Sequence, residues 1–148
     1  MRFLFETPRL LLRPFLPEDA PGLLELNNDP EVQRFTGDPP FPSLEAARRF
    51  VLEYPEYRRT GYGRWAVLQK TDGAFLGWCG LKLNEEEEVD LGFRFLRRYR
   101  GRGYATEAAA ACLDYGFRTL NLPEIVGRAM TENVASIRVL EKIGLQFR

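Results

Sequence analysis

Apolar positions recur along this chain with two different periods, and the switches between them mark its elements. Arg9-Leu10-Leu11-Leu12-Arg13-Pro14-Phe15 is a short apolar run closed by proline and predicts a strand. Pro17-Glu18-Asp19-Ala20 opens a helix to about Asn27, with acids in its first turn and Leu23, Leu24 and Leu26 on its apolar face. Asp29-Pro30-Glu31-Val32 restarts a helical turn, and Thr36 to Ser43 is turn-rich. Ser43 then caps a predicted helix through about Arg59, with Leu44, Ala47, Phe50, Val51 and Tyr54 at helical spacing and Pro55 set against its last turn.

After Gly61-Tyr62-Gly63 strand character takes over. Trp65 to Gln69, Ala74 to Leu83 and Val89 to Leu96 predict three strands. Thr71-Asp72-Gly73 is a hairpin turn and Glu85 to Glu88 a solvated one, so the three form an antiparallel meander. Helical character returns from Tyr104 to about Leu120, where Asn121-Leu122-Pro123 ends it. A strand from Glu124 to Met130, a helix from about Val134 to Ile143 with Gly144 as its C-cap, and the start of a strand at Leu145 complete the chain. No repeat or linker interrupts residues 1–148, which read as one domain.

Composition narrows the class. A hydrophobic share of 45% and a charged share of 28% are those of a soluble globular protein with one core. No apolar run approaches the roughly 20 residues that span a bilayer, and Met1 to Glu6 is broken by charge too soon for a secretory signal, so a cytoplasmic protein without a membrane partner is expected. Lys and Arg together number 21, as do Asp and Glu, so no whole-molecule attraction to nucleic acid is expected. The charge is nonetheless uneven: Arg94 to Arg102 is basic and Glu85 to Glu88 acidic.

Histidine is absent, which removes Ser-His-Asp and Cys-His catalysis and His-based zinc sites, and no metal is expected. Proton transfer falls to a carboxylate, a tyrosine, a lysine, water or the substrate. Cys79 and Cys112 lie in apolar segments and predict two buried reduced thiols.

The chemistry concentrates in Arg97-Arg98-Tyr99-Arg100-Gly101-Arg102-Gly103-Tyr104-Ala105-Thr106-Glu107. A strand, a basic glycine turn and a helix start suit an anion, because first-turn N–H groups have no internal partner and the helix dipole adds positive charge. An ordinary strand-to-helix turn with solvated arginines is the competing reading.

Together with the residues on its C-terminal side, this stretch resembles the GCN5-related N-acetyltransferases. The likeness rests on the order strand, Arg98-x-x-Gly101-x-Gly103, helix, strand, Asn133-x-x-Ser136 and Glu141-Lys142-x-Gly144-Leu145. Thr7-Pro8-Arg9-Leu10-x-Leu12-Arg13 and Asn133-x-x-Ser136-x-x-Val139-Leu140-Glu141-Lys142 are similar to the ribosomal-protein N-terminal acetyltransferase branch. The resemblance runs from Thr7 to Phe147 and implies an α+β three-layer fold. In it a mixed, mostly antiparallel central sheet carries a splayed parallel strand pair and has helices on both faces.

The resemblance also implies acetyl-CoA as cosubstrate and a primary amine as acceptor, either a protein N-terminal α-amine or a small molecule. Arg98, Tyr99, Arg100, Gly101, Arg102, Gly103, Tyr104, Ala105 and Thr106 would hold the pyrophosphate. The pantetheine would pair with strand backbone at Leu91, Phe93 and Phe95, with Asn133 and Ser136 as hydrogen-bonding residues near it and the sulfur. Asn133 equally fits a helix N-cap. Gly92 stands where a bulge would open the parallel pair, or where a small residue would pack beneath a helix.

The implied reaction is direct attack of a neutral amine on the thioester, with N–H groups around Leu91 to Phe93 facing the oxyanion. Asp90 is the first candidate base, directly or through water, and Glu88 the second. The competing readings of Asp90 are a solvated carboxylate or a partner of Arg94. The acceptor would lie between the first two helices and the turn Thr36 to Ser43, with Phe35, Phe41 and Trp78 as lining or as core.

Two departures stand out. Many relatives carry a tyrosine acid where this chain has Leu140. The family usually continues with a strand pair after Gly144-Leu145, whereas here the C-terminal hairpin is missing. The alternatives are a sheet completed by another copy in a homodimer, an open edge, or a longer protein. The alternative function is a non-catalytic acyl-CoA-binding module of the same fold.

Overall fold

The computed structural model describes residues 4–30, 40–127 and 134–144. Its strands are β1 (Phe5–Glu6), β2 (Leu10–Arg13), β3 (Arg64–Gln69), β4 (Phe75–Leu83), β5 (Val89–Phe95) and β6 (Val126–Gly127). They form one sheet in sequence order, antiparallel at each junction except the parallel pair β5–β6. The helices are α1 (Ala20–Asn27), α2 (Leu44–Leu52), α3 (Glu56–Thr60), α4 (Tyr104–Asp114) and α5 (Val134–Lys142).

Strand alternation separates two faces. Trp65, Val67, Cys79, Leu81, Leu91 and Phe95 pack with Ala108, Ala109 and Cys112 of α4. Ala66 and Trp78 point the other way and pack with Leu23 of α1 and Val51 of α2. The result is the mixed sheet with helices on both faces that the resemblance implies. The fully buried Ala108 and Ala109 bring α4 close to the sheet, as small side chains on a helix allow.

Local chemistry accounts for most boundaries. Ser43 Oγ accepts the Ala46 N–H at 3.1 Å and caps α2. The helix expected through Arg59 is instead two, because Pro55 has no N–H to continue the ladder. Tyr54 N–H closes the last turn onto the Val51 carbonyl, and α3 starts after Pro55. The Glu85 to Glu88 turn is held by Asn84, whose Oδ1 accepts the N–H of Glu86 at 2.9 Å and of Glu88 at 3.0 Å. Beyond Asp114, α4 continues as one π turn, Tyr115–Thr119.

Three features depart from the sequence reading. The segment before β2 is itself a strand, β1, pairing Phe5 with Leu12. Asp19 is a helix-start acid as expected, but it does more: it is buried and forms a two-pronged pair with Arg13, at 2.8 and 2.9 Å, while accepting the Leu16 N–H at 2.8 Å. That pair ties the start of α1 to the end of β2. Finally, β4 and β5 run in unbroken register past Gly92, so no bulge opens there; the irregularity lies between Val67 and Leu68, opposite β4. Among the expectations, those at Phe35, Thr36 to Pro39, Met130, Asn133 and Leu145 to Arg148 lie outside the described residues.

Candidate active site

β5 delivers the chain into the basic turn. After Phe95, the Leu96 N–H extends the ladder to the Leu76 carbonyl, and a single 3₁₀ turn covers Arg97–Tyr99. Gly101 and Gly103 then take φ of 79° and 81°, a left-handed pair open to glycine and strained for other residues. α4 begins at Tyr104 with no side-chain cap. Its first internal bond runs from the Glu107 N–H to the Gly103 carbonyl at 3.1 Å. Among the described residues no backbone acceptor takes the N–H groups from Gly101 to Thr106. A row of such donors at a helix start suits an anion.

The arginines of the turn are not simply solvated. Arg98 donates to Glu25 of α1, Arg97 pairs with Asp29 at 2.7 Å, and Arg94 donates to Asn27 at 3.2 Å. Arg100 donates through Nε to the Phe95 carbonyl at 2.9 Å and approaches Asp29 at 3.9 Å. Tyr99 lies beneath the Arg98 guanidinium, 5.2 Å from ring centre to Cζ, and Arg102 is exposed. The end of α1 therefore supplies counter-charge to the turn.

Behind the turn stands the loop between β1 and β2. The Glu107 carboxylate accepts from Thr7 Oγ1, from the Arg9 N–H at 3.0 Å and from Arg9 Nε at 2.7 Å. Burial alone would raise the Glu107 carboxyl, but these hydrogen bonds and the Arg9 charge outweigh it and hold the group below the usual carboxylate range. Arg9 Nη1 also donates to the Arg102 carbonyl at 2.9 Å, and the guanidinium lies 4.4 Å over the Tyr104 ring.

On the α1 face of the sheet, Asp90 is almost wholly buried and its partner is Arg64, not Arg94. Arg64 Nη2 lies 2.7 Å from Asp90 Oδ1, while Nη1 donates to the carbonyls of Gly80 at 2.8 Å and Asp90 at 3.0 Å. Arg64, Gly80 and Gly92 are neighbours across three strands, and the guanidinium lies along the two glycines. A Cβ at Gly92 would meet Arg64 Nη2 at 2.8 Å. Gly92 thus serves as floor for a side chain, neither as a bulge nor as a seat for a helix. Arg64 and Arg94 both lie 5.2 Å from the Trp78 ring centre. Phe41 packs on Phe50 at 5.5 Å, within the apolar cluster of this face.

Along β5, Leu91 and Phe95 bury their side chains towards α4 and Phe93 is half-buried, so any pairing with a ligand there would use their backbone. Asp90 and Leu91 pair with Val126 and Gly127 of β6. Ser136 is half-buried in α5, and Asn133 lies outside the described residues. Leu140 is buried in the α4-side core, so that position supplies packing. Arg64, Arg9 and the anchoring role of Glu107 were not assigned from sequence; their partners lie 26 to 98 residues away, where periodicity carries no signal.

The sequence pattern of the acetyltransferase (GNAT) domain family matches residues 9–146. The chain belongs to this family. Its members use acetyl-CoA. A curated relative, the uncharacterized N-acetyltransferase p20 of Bacillus licheniformis, is 32% identical across 95% of this chain and 80% of its own. The solved acetyltransferase of Agrobacterium tumefaciens superposes with a TM-score of 0.83 at 30% identity, covering 97% of this chain and 83% of its own. Spermidine N-acetyltransferase of Vibrio cholerae, solved with CoA and spermine, shares the fold at a TM-score of 0.79 and 21% identity, covering 93% of this chain and 81% of its own.

Proposed function

We propose that this protein transfers the acetyl group of acetyl-CoA to a primary amine. The observation that carries the reading is the row of N–H groups from Gly101 to Thr106 that find no backbone acceptor, set at the start of α4. The turn from Arg98 to Thr106 takes the pyrophosphate, and the pantetheine lies along the backbone of Leu91, Phe93 and Phe95. The neutral amine attacks the thioester carbonyl, and N–H groups around Leu91 to Phe93 receive the oxyanion. Asp90 accepts the proton, directly or through a water, with Arg64 fixing the carboxylate in place. Ser136 and Asn133 serve as hydrogen-bonding residues for the pantetheine and the sulfur, and the thiolate leaves to take a proton from water.

Of the acceptors, a protein N-terminal α-amine is the first choice, as the likeness to the ribosomal-protein branch suggests. Arg64 already neutralises Asp90, and a second guanidinium, Arg94, flanks Trp78 on the same face. Such surroundings disfavour a strongly cationic acceptor. An α-amine, with an ordinary pKa of about 8, is partly neutral near pH 7, whereas a lysine-like amine near 10.4 is not.

The test is a free-thiol assay with acetyl-CoA and a panel of peptides, polyamines and small amines. The expected result is thiol release with free N-terminal peptides and none with the same peptides N-acetylated. The second reading, a non-catalytic acyl-CoA-binding module, is favoured by the engagement of Asp90 by Arg64. Coenzyme binding without turnover across the panel would establish it instead, and absence of binding would refute both.

A further inference from the structure

Arg9 lies outside the turn that takes the pyrophosphate in the proposed reading, yet it grips that turn from behind. We propose that Arg9 is a positioning residue for the coenzyme: it fixes the Arg102 carbonyl on the rear of the Gly101–Gly103 turn and so keeps the N–H groups of the turn free for the anion. The inference rests on the proposed coenzyme reading.

The peptide unit that joins Arg102 to the left-handed Gly103 can rotate as a whole. Turning the peptide between Arg102 and Gly103 by half a turn would carry the Arg102 carbonyl to where the Gly103 N–H stood. The site would then present an acceptor to a phosphate. The rotation turns ψ of Arg102 and φ of Gly103, and Gly103 eases it because it has no Cβ to oppose the change in φ. The turn therefore needs an outside restraint. Arg9 Nη1, 2.9 Å from the Arg102 carbonyl oxygen, is that restraint.

The restraint is itself held at several points. Arg9 Nε is 2.7 Å from Glu107 Oε1, and the Arg9 backbone N–H donates to Glu107 Oε2 at 3.0 Å. Thr7 donates to that same oxygen. The guanidinium plane lies over Tyr104, the first residue of α4. Glu107 thus ties the β1–β2 loop to the first turn of α4, and Arg9 spans from that tie to the glycine turn. A planar fork serves both contacts at once: Nε faces the carboxylate while Nη1 faces the carbonyl. A lysine at this position has a single terminal nitrogen and cannot make both.

The experiment compares the unaltered protein with Arg9→Met and Arg9→Lys. CoA affinity is measured by calorimetry, turnover at saturating acetyl-CoA by thiol release, and turn rigidity in ligand-free protein by ¹⁵N relaxation. The expected Kd for CoA rises about tenfold in both variants, the size of one lost charge-assisted hydrogen bond. Turnover at saturating acetyl-CoA stays within about twofold, since Arg9 acts on binding and not on the thioester. Order parameters at Gly101 to Gly103 fall in both variants. Wild-type affinity in Arg9→Lys would reduce the role of Arg9 to charge and overturn the proposal. Unchanged order parameters at Gly101 to Gly103 would overturn it too, whether or not CoA binds. Failure of the wild-type protein to bind CoA, with order parameters that still fall, would instead count against the coenzyme reading.

Discussion

The guanidinium of Arg64 reaches from β3 across β4, past Gly80 and Gly92, to meet the Asp90 carboxylate of β5 at 2.7 Å. Both side chains are largely buried, so each is the other's main counter-charge. Removing one partner leaves the other unpaired in a poorly solvated place. Arg64→Met is expected to cost about 3 kcal/mol in urea unfolding, because a stranded buried charge is worth that much. The double variant Arg64→Met with Asp90→Asn should recover part of the loss. A double variant as unstable as the sum of the single ones would show that the two side chains act independently.

Gly92 gives a second handle on the same contact. A Cβ there would fall 2.9 Å from Arg64 Cζ, so Gly92→Ala must displace the guanidinium while leaving the strand register intact. Stability should fall by about 1–3 kcal/mol, the usual cost of overpacking. Turnover should fall with it, through the lost orientation of Asp90. If Gly92→Ala keeps full stability and full turnover, the guanidinium has room to move and the pair does not orient the base.

Gly101→Val separates local backbone strain from the fold. No atom lies within 4 Å of the site of the added Cβ, so the penalty is conformational, at φ of 79°. A left-handed conformation costs roughly 1–2 kcal/mol for a residue with a Cβ, more for a β-branched one. The turn relieves that strain by rearranging, and CoA affinity should drop tenfold or more with only a small change in melting temperature. Unchanged affinity would place the pyrophosphate elsewhere.

Glu107 sets an acid limit on the tie between the β1–β2 loop and α4. Its carboxyl is held below the ordinary value of 4.5, since the bonds from Thr7 and Arg9 overcome the effect of burial. A folded-state value below the unfolded one means that the unfolded chain takes up the proton first as pH falls. The stabilisation is therefore complete above pH 4.5 and is lost as pH drops from there through the folded-state value. Urea midpoints of wild type and Glu107→Gln should differ by a constant amount above about pH 5 and converge below it. A difference that stays constant to pH 3, about where a carboxyl with an ordinary value is mostly protonated, would contradict this role.

Much of the fold is legible in the sequence because its signals are local. Ser43 announces the α2 cap, Thr71-Asp72-Gly73 the hairpin, and Gly101 with Gly103 the turn into α4, each within a few residues of its effect. Pro55 is visible as a threat to its helix, though not as the break that makes α2 and α3 separate. What the sequence conceals is the matching of distant side chains. Arg64 with Asp90, Arg9 with Glu107 and Arg98 with Glu25 join residues far apart in the chain, and no spacing rule connects them. Gly92 shows the consequence: its position suggests a bulge, and only the guanidinium above it explains the missing side chain.

Cys79 and Cys112 bear on how turnover is measured. Both thiols are buried, with their sulfurs 3.6 Å apart, and burial, followed by the neighbouring Cys79, pushes the Cys112 thiol well above its usual range. Neither should react with a disulfide reagent in the native protein, and both should react in denaturant. A thiol assay on the native enzyme would then report released CoA alone. Rapid labelling of the native protein would show that the β4–α4 interface opens readily.

In the proposed function, the turn from Gly101 to Thr106 holds the coenzyme through its backbone N–H groups. The most direct test is a titration of ¹⁵N-labelled protein with CoA, followed residue by residue through the amide resonances. The largest downfield proton shifts are expected at Gly101 to Thr106, as each N–H gains an anionic acceptor, with smaller shifts along β5. Binding that moves resonances elsewhere and leaves Gly101 to Thr106 unshifted would contradict it.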